Sequence, residues 1–159
     1  MIWGAIVGGL AGTFVLTTML RAASELGWTR IDIPFLLGTA FTADRVKAKA
    51  IGYSLHFVFG LLFALGYWAI FVVVGESGIL LGAVLGLLHG LFASSAGVNV
   101  LLPVVHPRMG TGFDAAESSP MLEPAGFLLL NYGRRTPLVT LAAHVMYGAI
   151  VGGFVAWAG

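Results

Sequence analysis

Four stretches of about 20 residues run through this chain without an aspartate, glutamate or arginine: 2–20, 48–74, 78–100 and 137–158. A lipid hydrocarbon core of roughly 30 Å takes about 20 helical residues to cross. Lys49, at the mouth of the second stretch, is the one charged residue in any of them. The pattern predicts an all-α integral membrane protein: one transmembrane domain over 1–159, four helices in a bundle, and both termini on the same side.

Composition agrees. Of 159 residues 58% are hydrophobic and 9% charged, against about 25% charged in soluble domains, and the mean hydropathy is +0.97. Twenty-three glycines in so apolar a chain read as packing elements, since small residues let membrane helices approach closely. With no cysteine, a metal site must use nitrogen or oxygen ligands, and disulfides and thiol chemistry are excluded. A net charge of +1, with no basic run longer than Arg134 and Arg135, excludes nucleic acid as a partner.

The first span has no basic residue before it and is followed by Arg21, the reverse of a cleavable signal, so it is expected to be retained. All eight basic residues lie at or near two segments, 21–47 and 101–136: Arg21, Arg30, Arg45, Lys47 and Lys49, then Arg108, Arg134 and Arg135. The positive-inside rule makes both segments cytoplasmic and both termini external. Within the first, 33–41 is apolar, too short to span, and expected to lie along the interface. Thr42 or Asp44 is placed to cap the second helix. The second segment is long for a compact bundle; it carries the apolar run 127–130 and is expected to fold onto the cytoplasmic face.

An internal repeat accompanies the spans. Gly4, Ala5, Gly8, Leu10, Gly12 and Phe14 are matched at the same spacing by Gly82, Ala83, Gly86, Leu88, Gly90 and Phe92. His56 and Gly60 of span two are matched by His144 and Gly148 of span four. A duplicated helical hairpin related by a pseudo-twofold along the membrane normal is expected. The glycines at four-residue spacing are packing faces rather than phosphate loops.

Histidines are the remaining polar feature of the spans. His56 and His144 each lie about 12 Å from the cytoplasmic ends of their helices, and His89 about 13 Å, by a rise of 1.5 Å per residue. A common layer is expected, with Tyr147 and Thr13 as supporting partners. Three readings stay open. The imidazoles can join helices by hydrogen bonds. They can bind a cofactor, either zinc, copper or iron at His56, His89 and His144, or a non-covalent haem b between His56 and His144. They can carry protons for a small-solute transporter, which in four spans would require a homo-oligomer. An accessory subunit of a larger membrane complex is the competing class.

His106, before Pro107 and Arg108, reads as a solvated loop residue. Asp44, Glu117 and Glu123 read as surface or capping groups. No nucleophile elbow, zinc-protease histidine pair or phosphate loop is present, so enzymatic hydrolysis has no support.

Taken together, His56, Phe57 and Gly60, the run from Gly82 to Gly90, the string His106, Pro107, Arg108, Met109 and Gly110, and His144, Tyr147 and Gly148 resemble the YagU-like group of uncharacterised four-span bacterial inner-membrane proteins. The resemblance covers most of the chain. It implies a bacterial cytoplasmic membrane and four helices, and implies no activity.

Overall fold

The computed structural model describes residues 1–109 and 122–159, and among these the only regular structure is helical. Helix α1 is Ile2–Glu25, α2 is Ile33–Gly38, α3 is Arg45–Val74 and α4 is Ile79–Phe92. From Ala93 to Leu101 the third apolar helix is wound as a π-helix, and it closes with a short α5, Leu102–Val105. A 3₁₀ segment, Phe127–Tyr132, precedes α6, Thr136–Trp157. Four of these helices, with α4 through α5 taken as one, are long and apolar enough to cross a membrane.

Local chemistry sets the ends. Helix α1 outlasts its uncharged stretch by more than a turn, with Arg21 paired to Glu25 at 2.7 Å. It stops at Gly27, whose φ of +71° suits glycine, while the Trp28 amide bonds back to the Ala23 carbonyl, a Schellman-type ending. Asp32 caps α2 by accepting from the Phe35 amide. Asp44, rather than Thr42, caps α3 by accepting from the Val46 and Lys47 amides; Thr42 instead accepts from the Asp44 amide.

Alanines are buried at the helix contacts and many large apolar residues face outward, although Phe71 and Tyr147 are also buried. Ala5, Ala64 and Ala143 are fully buried, whereas Trp3, Val73, Leu80 and Leu138 are exposed. That inversion fits helices that bury glycine and alanine against one another and leave large apolar side chains for lipid. Helix α6 sits between α1 and α4, and α3 packs on α1. Methyl groups at Gly4 and Gly8 would press on Phe154, and one at Gly12 on Tyr147. On the other flank of α6, methyls at Gly82 and Gly86 would collide with the carbonyls of Gly148 and His144. A strict twofold exchanging α1 with α4 and α3 with α6 would seat this second stripe on α3. It packs on α6 instead.

The two ends of the molecule differ. At one, the Met1 amine donates to the Ala158 carbonyl at 2.9 Å, so the termini meet. At the other, the two basic segments are tied together. The Arg30 amide donates to the Tyr132 carbonyl at 2.7 Å, its guanidinium pairs with Glu123 at 3.1 Å, and Thr29 bonds Thr136 at 2.7 Å. Glu123 is therefore an ion-pair partner, while Glu117 and Gly110 lie outside the described residues.

Helix α2 folds back on the start of α3, where methyls at Gly38 and Gly52 would collide with the backbone of Ala48 and Pro34. His106 holds it there. This histidine is 1% exposed, which corrects the expectation of a solvated loop residue. Its Nδ1 accepts from the Arg108 amide at 3.2 Å, so the ring proton sits on Nε2, which donates to the Leu36 carbonyl at 2.9 Å. The Arg108 guanidinium reaches the Thr39 carbonyl. Burial holds the imidazole below the usual histidine range and nearby Arg108 acts the same way, against the opposing Leu36 bond.

Candidate functional site

The helix packing decides which histidines meet. Close seating of α4 on α6 through their glycines brings His89 against His144, rings edge to face with centroids 4.9 Å apart. The same seating aims His89 across the gap to α3. There its ring lies 3.8 Å from that of Phe63, and its Nδ1 is 3.2 Å from the Tyr67 hydroxyl. Tyr147 closes the group, its ring 6.0 Å from that of His89 and 5.7 Å from that of Tyr67.

The protonation of His144 follows from its partner. Nδ1 lies 2.8 Å from the Thr140 carbonyl, which can only accept, so the ring proton is on Nδ1. Nε2 of the neutral ring is left with a free lone pair. A ring nitrogen fixed by a backbone carbonyl while the other stays basic is the usual arrangement of metal-ligating histidine.

His56 stands apart. His89 meets α3 at Phe63 and Tyr67, seven and eleven residues beyond His56, or about 10–16 Å of helix rise. Ring contact therefore joins His89 with His144, while His56 lies further toward the basic end of α3 and makes no such ring contact with either. Nε2 of His56 is buried with no hydrogen-bond partner among the described residues. Among those residues, no three histidine, aspartate or glutamate side chains converge in a geometry that could hold a metal ion.

The two expected supporting residues divide. Tyr147 touches His89 with its ring, and its hydroxyl donates to the Gly60 carbonyl at 2.5 Å. Thr13 donates to the Gly9 carbonyl at 2.7 Å and fills the space beside Gly60. The room next to Gly60 is thus taken by Thr13, and that next to Gly148 by the backbone of α4. Tyr67 was missed as a site residue: its spacing places it on the His56 face, but only the tertiary packing takes its hydroxyl to His89.

Two hollows border these helices. An open apolar groove of about 600 Å³, lined by Ile79, Met146 and Trp157, lies on the outer face of α4 and α6, with no histidine in its walls. A small polar pocket of about 30 Å³ lies between α1, α2 and α3 and has His56 in its wall. No family model matches the chain, and neither a curated protein nor a solved structure matches it.

Proposed function

We propose that the chain is a multi-pass protein of a bacterial cytoplasmic membrane whose four-helix bundle binds a transition metal ion at His89 and His144. The observation that carries this reading is His144, whose Nδ1–H is spent on the Thr140 carbonyl, which leaves Nε2 basic on a ring whose centre is 4.9 Å from that of His89. Two imidazoles sharing one tetrahedral ion, with metal–nitrogen bonds of about 2.1 Å, have ring centres about 5 Å apart. The observed 4.9 Å is close to that, so small ring rotations would suffice. Tyr67, on the other side of His89, is placed to orient it.

A metal ion is favoured over haem b because the spaces beside His56 and His144 that a flat macrocycle would need are filled by Thr13 and α4. The proposed orientation, termini external, rests on the clustering of Arg30, Arg134 and Arg135 with the other cations at one end. The bacterial membrane rests on the YagU-like resemblance. The duplication is proposed for the hairpin sequences, from the matched glycines and histidines, and not for a strict twofold in the packing.

Elemental analysis and a visible spectrum of the purified protein test the reading. About one zinc, copper or iron per chain is expected, lost in His89→Ala and in His144→Ala but retained in His56→Ala. Equal loss in all three variants would restore a three-histidine set. A Soret band abolished by His56→Ala and His144→Ala would establish haem. Absence of any metal or haem from a folded protein would favour an accessory role in a larger complex.

A further inference from the structure

His56 has a buried ring nitrogen that no described group satisfies, and buried polar nitrogens are rarely left so without water or an ion. The pocket of about 30 Å³ in whose wall it stands has room for about one or two waters. The remaining wall is mixed, with Thr17, Arg21, Ser24, Asp32 and Tyr53 beside Leu20, Ile33 and Pro34.

These residues run toward the basic end of the molecule. Arg21 and Ser24 belong to the last turns of α1, and Asp32 stands at the start of α2. The charges at the mouth are balanced, with Arg21 on Glu25 at 2.7 Å and Lys49 on Asp32 at 3.1 Å, so a cation meets no uncompensated positive charge there. Toward the other end the seam between α1 and α3 is shut. A methyl at Gly60 would strike Thr13, one at Gly9 would press on Ala64, and Ala64 is fully buried.

We propose that this pocket is a hydrated vestibule, open from the basic end only, through which water, and with it a small cation, reaches Nε2 of His56. It does not depend on the reading of the His89–His144 pair as a metal site, and it gives His56 a separate role as a water-accessible imidazole. Water enters from one side, exchanges at Nε2, and goes no further along the closed α1–α3 seam.

Exchange of the imidazole C2 hydrogen in D₂O, read residue by residue by mass spectrometry on the metal-free full-length protein in bilayers, reports water access to each ring. His56 is expected to exchange at least several-fold faster than His144. Ser24→Trp, which plugs the mouth, should slow His56 to the rate of His144 and leave His144 unchanged, while Ser24→Ala leaves both unaltered. Should Ser24→Trp not fold, Thr17→Leu fills the same pocket deeper in and carries the same expectation. Exchange at His56 as slow as at His144, or fast exchange that survives plugging, overturns the vestibule. Failure of the metal reading would show separately, as a protein that binds no metal while His56 still exchanges quickly.

Discussion

His89 and His144 meet edge to face across the α4–α6 interface, their ring centroids 4.9 Å apart at an interplanar angle of 82°. That contact exists because glycines on both helices let the backbones close. Gly86 lies one turn before His89 and packs against the backbone of His144, and a methyl at Gly90 would press on the His144 side chain. The candidate site and the close α4–α6 seam are therefore one structure.

Opening that seam should be costly. Gly82→Ala places a methyl against the Gly148 carbonyl, a backbone atom that cannot swing away, and overpacking of this kind costs about 1–3 kcal/mol. Gly66→Ala, on α3, meets nothing within 4 Å and should be neutral or mildly stabilising, since alanine is the better helix former by about 0.5–1 kcal/mol. Reversible unfolding in detergent, compared across the two variants, checks both. Equal stability would show that the α4–α6 approach is looser than described.

His106 should make the docking of α2 sensitive to acid. Folding favours its neutral form because the ring is buried and Nδ1 accepts from the Arg108 amide. The undocked histidine takes up a proton near pH 6.5. The docked state binds fewer protons in that range, so its stability is complete above about pH 6.5 and falls as the pH drops through that value toward the lowered docked pKa. Amide exchange of Ile33–Gly38 should be slow at pH 8 and faster at pH 5 after correction for intrinsic rates. The pH dependence should vanish in His106→Gln. Equal protection at both pH values would contradict the clamp.

Tyr67→Phe should leave the helices folded and weaken metal binding. The lost hydroxyl is the partner of His89 Nδ1 at 3.2 Å, and removing such a supporting bond typically costs 10–100-fold in affinity. Competition against a chromophoric chelator measures it. An unchanged affinity would assign Tyr67 a packing role alone.

Much of this architecture was legible in the sequence. The four apolar helices follow from uncharged stretches, the Asp44 cap from its position, and the glycine faces from their four-residue spacing, whereas the Asp32 cap of α2 emerges only in the fold. The histidine layer was legible only in part. Counting residues from helix ends treats the spans as upright and alike, yet α3 has 30 residues, about 45 Å of helix against roughly 30 Å of hydrocarbon. Such counts give depth alone, and which rings touch is set by the glycine-mediated seating of α4 on α6. The burial of His106 was hidden because it depends on α2, a six-residue helix, folding back onto α3. Nor does local sequence announce the π-wound stretch Ala93–Leu101, where Ser94 and Ser95 bond to carbonyls four residues back and Asn99 reaches the Gly126 carbonyl at 3.0 Å.

X-ray absorption at the edge of the bound metal tests the central claim most directly. The account predicts nitrogen ligands at about 2.0–2.1 Å with the multiple scattering of two imidazoles, unchanged in His56→Ala and lost in His89→Ala and His144→Ala. A bound metal without imidazole scattering, or a spectrum indifferent to His89 and His144, would contradict it.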